Sequence, residues 1–426
     1  MNEAFMGSYM RIILLVTCIL GEACGFPRPV DVPAPDSGNA GSSAPVCSAN
    51  QFLRCTGDDL VRCNSDGTAE ISGRCALGCN ATGERCNDAN PSNGLAPYLD
   101  MAAGEPDLDL GTTATFSTSD GTVVVDGRPV KVQSALVAQA SAPTILVFMV
   151  HSLVAHDVTV SGNNAFALVS NGDVQINGIF AASASSSVPG PGRFNDGTCM
   201  GGSGDTSVGQ ASGGCGGGGF GSAGGKGGSA INTNGTAPGG AGGSATGNPV
   251  LVPLRGGCDS GRLGGTAGFG AGGGAIQLVS RTKITVTGVV AANGSSLAGG
   301  GSGGGILLEA PLVSLSGSVV ANGGAGAGGC VFPQAGEDGR LDATPATGGD
   351  PCGSHGGQGG NGGAGNTGAG NGVSVNEADA GMLVLVFGGY GGGGVGRIRV
   401  NTIPDGLNRT GGLFSPNPST GTIASR

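Results

Sequence analysis

Hydrophobic and polar residues alternate in short runs that are separated by blocks of glycine. The clearest runs lie in residues 275–294 and 305–323, which align with each other if one residue is deleted from the second copy. Ile276 then corresponds to Ile306, and both segments end in Ala-Asn-Gly. Because alternate side chains of a strand point to opposite faces, this pattern predicts strands with one buried face. The pair of segments also predicts an internal repeat.

Further copies of the unit lie before and after this pair. Residues 165–178 match 275–288, and residues 397–400 form a truncated copy. Residues 156–162 also align with residues 172–178. Units of roughly twenty residues that cannot bury their own apolar face must stack on one another. The pattern therefore predicts an all-β fold, specifically a parallel β-helix-like solenoid.

We expect the solenoid to span residues 112–403, with residues 114–137 as the cap at its start. Single glycines at positions 162, 178, 288 and 317 fall where the chain must turn, so we expect positive φ angles there. Asn293 and Asn322 precede glycines at the ends of two units and are expected to be turn residues. On this interpretation, a substitution within the block 299–301 should matter less than one at Gly288 or Gly317.

Long glycine-rich insertions separate the predicted strands, at residues 190–274, 294–304, 323–372 and 388–396. The chain has 93 glycines and 22 prolines, so flexible linkers are one interpretation of these segments. Ordered packing of extended, polyproline II-like glycine segments is the other. Five cysteines lie in the insertions, and we expect pairs Cys199–Cys215 and Cys330–Cys352, with Cys258 left over.

The N-terminus has the features of an export signal. Arg11 precedes a short apolar run, and small residues follow it, which predicts a signal peptide over residues 1–24. Ala23-Cys24 resembles a bacterial lipobox, in which Cys24 would be acylated, although Gly21 stands where leucine is usual. Gly25 after the cysteine favours the outer membrane over the inner membrane; simple secretion is the alternative. Residues 25–46, rich in Pro, Ser and Gly, are expected to be an extended tether.

A small module follows at residues 47–86. An even number of cysteines in a short exported segment predicts three disulfides, without deciding their pairing. A zinc site is less well supported, because the module has no histidine and no Cys-x-x-Cys pair. Residues 59–71 predict a hairpin around the turn at residues 64–67. The six cysteines are Cys47, Cys55, Cys63, Cys75, Cys79 and Cys86.

The remaining segments are expected to be a polar linker at residues 87–111 and a C-terminal tail at residues 404–426. The formal net charge is −10 with only 19 Lys and Arg, so a nucleic-acid-binding surface is not expected. No cofactor or metal is predicted, and no residues are assigned as catalytic. Asp157 and Asp173 are the weak carboxylate candidates, and because they occupy matching positions of successive units we expect them to stack on one face. Glu309, His151 and His156 are further candidates for enzyme chemistry.

The repeat units 165–178 and 272–323, together with Gly190-Pro191-Gly192, resemble a family of exported glycine-rich proteins of myxobacteria and related bacteria. Such proteins often carry the mycobacterial PE-PGRS label because of their composition. The six-cysteine module is similar to a unit found in exported proteins of the same bacteria. The resemblance implies a surface-located β-helical protein and supplies no catalytic residues.

These observations favour a non-enzymatic cell-surface protein with a structural or adhesive role, held in the outer membrane by a lipid anchor. A cell-surface or matrix polysaccharide is a candidate partner, and the oligomeric state stays open. The alternative is a β-helix enzyme acting on polysaccharides, such as a lyase or glycosidase, or a carbohydrate-binding protein. Fold analogy alone gives that alternative little support.

Overall fold

The structure, a computed structural model, describes residues 46–262, 268–378 and 384–426. The predicted signal peptide, Cys24 and all but the last residue of the predicted tether lie outside the described residues. Within them the regular structure is almost entirely β-strand. The described helices are α1 (Ala96–Met101) and two single turns of 3-10 helix, Ala102–Gly104 and Gly353–His355.

The first strands, in chain order, are β1 (Phe52–Thr56), β2 (Asp59–Cys63), β3 (Glu70–Arg74), β4 (Leu108–Asp109), β5 (Thr113–Ser117), β6 (Val123–Val125), β7 (Arg128–Val130), β8 (Gln133–Val137), β9 (Ile145–Val150), β10 (Leu153–Ala155), β11 (Asp157–Ser161), β12 (Ala165–Ser170), β13 (Val174–Ile176) and β14 (Ile179–Ala181). They are followed by β15 (Ala211–Ser212), β16 (Ala230–Asn232), β17 (Gly235–Ala237), β18 (Ala275–Ser280), β19 (Lys283–Val286), β20 (Val289–Ala291), β21 (Gly305–Glu309), β22 (Leu312–Leu315), β23 (Ser318–Val320), β24 (Val375–Asn376), β25 (Val386–Phe387), β26 (Arg397–Thr402), β27 (Leu407–Arg409), β28 (Leu413–Ser415) and β29 (Ser419–Thr422).

Three large sheets contain most of these strands. Their strand orders are β27-β22-β19-β13-β10-β4, β28-β23-β20-β14-β11-β5-β6-β7 and β29-β26-β21-β18-β12-β9-β8. From β9 onward the chain visits the seven-, six- and eight-stranded sheets in that order five times, ending with β26, β27 and β28. Strands from successive visits pair in parallel.

The strand register confirms the alignment that the sequence predicts for residues 275–294 and 305–323. Ile276 pairs with Ile306, and Val286 pairs with Leu315, so one residue is lost between the two pairs, as expected. The match of 156–162 with 172–178 is wrong as a stacking relation, because Val158 pairs with Phe180. It aligned strands of two different sheets, which share the same alternation of buried and exposed residues.

The inward side chains of the three sheets form one apolar core. At its start four aromatic rings contact one another: Phe116 lies 4.9 Å from Phe148 and 5.4 Å from Phe166, measured between ring centroids. Aliphatic residues continue the core through Ile276, Ile306 and Ile398, which are fully or almost fully buried. Strands β5–β8, from the predicted cap, occupy the starting edges of the eight- and seven-stranded sheets.

The glycine-rich segments are packed and hydrogen-bonded to one another, with a repeat of three residues. Many of their glycines are completely buried, including Gly216, Gly300 and Gly392. In residues 388–396, every third amide donates to the same neighbouring segment. The amides of residues 388, 391 and 394 donate to the carbonyls of residues 212, 215 and 218. The amides of residues 389 and 392 donate to the carbonyls of residues 373 and 370 in a second segment. The described parts of these insertions are therefore ordered layers and not flexible linkers.

The single glycines are needed for a different reason from the expected one. Gly162 has the predicted positive φ, at 114°, but Gly178, Gly288 and Gly317 do not. A Cβ atom at Gly288 would collide with the carbonyl oxygen of Gly178, and one at Gly317 with that of Gly288. Close approach of successive copies at this corner therefore excludes a side chain. The block 299–301 is buried under the same constraint, so its expected tolerance is wrong.

The disulfides agree with the predictions in part. The module pairs are Cys47–Cys63, Cys55–Cys79 and Cys75–Cys86, and Cys330 is bonded to Cys352 as expected. The predicted pair Cys199–Cys215 is wrong: Cys199 is bonded to Cys258, across 59 residues of sequence, and Cys215 is a buried free thiol. The layered packing brings segments distant in sequence next to each other, so nearness in sequence misled the prediction.

The expected hairpin is present as β2 and β3, with β1 as a third strand.

Two segments expected to be a linker and a tail belong to the folded body. Residues 87–111 contain α1 and β4, and β4 pairs with β10. Residues 404–426 contain β27, β28 and β29, which extend all three sheets. The two segments also join each other, because Arg426 forms ion pairs with Asp88 and Asp100 at 3.0 and 2.6 Å. These strands have only two to four residues each, which is too short for an alternating pattern to be recognised from sequence.

Candidate functional site

The two weak carboxylate candidates have structural partners. Asp157 begins β11, and its Oδ1 accepts a hydrogen bond of 2.9 Å from the amide of Ile179 in the next copy. Asp173 precedes β13 in a different sheet, and its Oδ1 accepts one of 2.6 Å from the hydroxyl of Thr282. The expectation that they stack on one face is therefore wrong. Both act as side-chain bridges between successive copies.

Glu309 lies at the centre of a buried polar network. Its side chain is on the outer face of the seven-stranded sheet and is covered by residues 87–101; the residue is 1% exposed. Its two carboxylate oxygens accept hydrogen bonds from the amide and hydroxyl of Ser92, from Gln277 Nε2 at 2.7 Å and from Asn401 Nδ2 at 2.8 Å. A carboxylate enclosed in this way has no route to a substrate. It fixes the segment before α1 onto the sheet.

The histidines lie apart from these carboxylates. His151 Nδ1 lies 2.8 Å from Asp107 Oδ1, which also accepts a hydrogen bond of 2.6 Å from Ser152 Oγ. These bonds, from Ser152 first and then His151, lower the pKa of Asp107. The Asp107 side chain is 73% exposed, so it faces solvent. His156 is exposed at the end of β10.

The sulfur atoms of Cys55, Cys75 and Cys79 lie close together in the six-cysteine module. Cys55 Sγ is 3.3 Å from Cys75 Sγ, because the disulfides Cys55–Cys79 and Cys75–Cys86 are neighbours. Thiolates, and not disulfide sulfurs, are the ligands that zinc requires. The cluster is therefore the centre of a disulfide-braced module.

A charged cluster supports the glycine layer near Phe220. The Arg255 guanidinium stacks on the rings of Phe194 and Phe220, and its Nη1 lies 3.2 Å from Asp196 Oδ2. Burial raises the pKa of Asp196, but hydrogen bonds from Thr246, Thr198 and the Cys199 amide outweigh that effect and hold it well below its ordinary value of 3.8. The cluster joins the Cys199 segment to the adjoining loop.

Uncharged polar side chains form a regular array on the outer face of the six-stranded sheet. The inward residues of β13, β19 and β22 are apolar, so the residues between them point outward. The strand register places Gln175, Thr285, Ser314 and Asn408 in one column across four neighbouring strands. A second uncharged polar residue follows each of them two positions later, just beyond the end of its strand, and these four residues form the second column. We call this array the polar face; its residues are Gln175, Asn177, Thr285, Thr287, Ser314, Ser316, Asn408 and Thr410.

An open groove of about 140 Å³ runs over one end of the polar face. Its lining includes Thr285, Ser314, Ser316, Asn408 and Thr410. Within the face, Thr287 Oγ1 donates to Asn177 Oδ1 at 3.1 Å, and Thr410 Oγ1 donates to Asn408 Oδ1 at 2.8 Å. The groove therefore offers hydroxyl and amide groups on paired strands and just beyond their ends. We take it as the candidate binding surface because uncharged hydrogen-bonding side chains recur along it.

The polar face is not apparent from the sequence alone. The alternation Val-x-Ile and Ile-x-Val marks the buried residues, and the residues between them form the array only once the register is known. The buried ladder of Asn293 and Asn322 was also missed. Asn293 Oδ1 accepts a hydrogen bond of 2.8 Å from the amide of Asn322, and both side-chain amides donate to the loop at residues 339–342. These residues are therefore not simple turn residues, and their recurrence was the available signal.

In comparisons with known proteins, no family model, no curated protein and no solved structure matched this chain. Among the helices of the described residues, none is both long and apolar enough to span a membrane.

Proposed function

We propose that the three sheets form a parallel β-helix-like solenoid and that the glycine-rich segments form a polyproline II-like bundle beside it. The five successive visits to the three sheets and their parallel pairing support the first part. The three-residue hydrogen-bond repeat supports the second, because a polyproline II helix has three residues per turn. The resemblance to glycine-rich proteins of myxobacteria is consistent with both parts.

The protein is then an exported surface protein with a structural or adhesive role, anchored in the outer membrane through acylated Cys24. The disulfides support export, since such bonds persist mainly in oxidising compartments. The alternative location is the external medium, reached by simple secretion.

The observation that supports a non-enzymatic role is that the candidate acidic residues make structural hydrogen bonds within the fold. Asp157 and Asp173 bridge successive copies, and Glu309 is enclosed under residues 87–101. A body of stacked strands, tightly packed glycine layers and disulfides is rigid, which suits display of a binding surface away from the membrane.

Three measurements test the proposal. Mass spectrometry of the mature N-terminus should find acylated Cys24, whereas an unmodified N-terminus would support secretion. Treatment of intact cells with a membrane-impermeant amine reagent should label the protein, and deletion of its gene should reduce adhesion. A protein that is labelled only after the outer membrane is opened would contradict a surface role.

A further inference from the structure

We infer that the polar face binds a neutral polysaccharide lying across the strands of the six-stranded sheet. This inference rests on the proposed surface role and assigns it a site and a class of ligand. Four neighbouring strands each present one uncharged polar side chain, a second follows just beyond each strand end, and the groove at one end gives the array a concave part.

The chemistry of the face suits a polyhydroxylated ligand. Hydroxyl groups of Ser and Thr and the amides of Asn and Gln can both donate and accept hydrogen bonds. A sugar hydroxyl also does both, so either partner can adapt to the other. An anionic polymer would instead require Arg or Lys, and none of the eight residues is charged. The chain's net charge of −10 also opposes the approach of an anion.

Several of these side chains are available for a ligand. Within the described residues, Gln175, Thr285, Ser314 and Ser316 make no side-chain hydrogen bond to protein. The adjoining column is mixed in character, with Asp173 and Lys283 of opposite charge and the exposed Leu312. The uncharged surface is therefore confined to the two columns of the polar face.

The repeat of the face favours a polymer over a single sugar. Neighbouring strands lie about 4.8 Å apart, so similar groups recur at that interval along the stack. A ligand with repeating units can make contacts at several strands, and weak contacts then add through their linkage. Four of the side chains are carried on paired strands, so little backbone conformational entropy is lost there on binding.

The test uses the full-length protein in native affinity electrophoresis. Gels contain dextran or glucomannan as neutral polymers, or alginate as an anionic polymer. One double variant, Thr285→Val with Ser314→Ala, removes two hydroxyls; a second, Thr285→Glu with Ser314→Glu, adds charge to the groove. The control, Thr159→Glu with Thr115→Glu, adds the same charge to exposed positions on the outer face of the eight-stranded sheet.

We expect at least one neutral polymer to retard the wild-type protein and the control variant, and alginate to have no effect. The charged groove variant should bind the neutral polymer about tenfold or more weakly, and the hydroxyl-deleted variant several-fold more weakly. Circular dichroism should show the same fold for all variants.

Three results would overturn the inference: no retardation by either neutral polymer, equal loss of binding in the control, or retention by alginate alone. Self-association that depends on Thr285 and Ser314 would instead assign the face to a second copy of the chain, and would also overturn it. Surface labelling is a separate readout. A labelled protein that binds no neutral polymer would refute this inference and leave the proposed surface role intact.

Discussion

A substitution of Gly300 by alanine tests the idea that the glycine layer is a close-packed core. Gly300 is buried, its amide donates to the Gly391 carbonyl at 2.9 Å, and its carbonyl accepts from the Gly218 amide at 2.9 Å. A Cβ atom at this position would collide with the carbonyl oxygen of Gly324. Backbone atoms of three neighbouring segments therefore surround Gly300. None of the atoms that an added methyl group would meet belongs to a flexible side chain that could move aside.

The magnitude follows from three terms. Overpacking costs about 1–3 kcal/mol, and weakening the two hydrogen bonds costs about 0.5–1.5 kcal/mol each. Alanine offsets about 0.4–1 kcal/mol of this cost, because it lowers the conformational entropy of the unfolded chain. We therefore expect Gly300→Ala to lower the free energy of unfolding by about 1–6 kcal/mol. Gly368, in a glycine-rich segment with no atom within 4 Å of the added Cβ, is the matched control, and Gly368→Ala should be neutral or slightly stabilising.

The assay is urea unfolding followed by far-ultraviolet circular dichroism, since the chain has no tryptophan for fluorescence. Hydrogen exchange resolved by peptide should show faster exchange near residues 218, 300, 324 and 391 in Gly300→Ala only. If both variants unfold within about 0.5 kcal/mol of wild type, the layer is loosely packed and the reasoning is refuted.

Three further predictions concern buried polar groups and the cysteines. Glu309→Gln should destabilise the protein by about 2–4 kcal/mol, because the new amide NH2 would face N–H groups that also donate. Faster hydrogen exchange in residues 92–101 is the measurement. Glu105→Gln, at an incompletely buried site, is the control. Asp196→Asn should cost about 1–3 kcal/mol near neutral pH. The pKa of Asp196 is lowered in the folded state, so the stabilisation from its carboxylate is present above pH 3.8 and is lost as the pH falls further. A difference in unfolding free energy between wild type and Asp196→Asn that does not shrink in acid would contradict this. Cys215 should resist alkylation until the protein unfolds, because burial raises the pKa of its thiol and shields it from the reagent. Peptide mapping should find Cys199 linked to Cys258, and a Cys199–Cys215 peptide would disprove that pairing.

The repeat of the chain was readable from local pattern alone. Alternation at Ile276 and Leu278, and its recurrence at Ile306 and Leu308, specified strands, their buried residues and even their register. The cysteine count of the N-terminal module likewise indicated disulfides, and neighbouring Cys330 and Cys352 were paired correctly. These features depend on residues close together in the chain, so they leave a direct trace in the sequence.

Only the tertiary structure decided how distant segments meet. The pairing of Cys199 with Cys258, the enclosure of Glu309 by residues 87–101 and the collision that excludes a side chain at Gly300 all depend on segments far apart in the chain. Glycine has no side chain to carry a pattern, so its sequence blocks are equally compatible with a flexible linker and a close-packed layer. The backbone hydrogen bonds between the layers distinguish the two, and they exist only once the chain has folded.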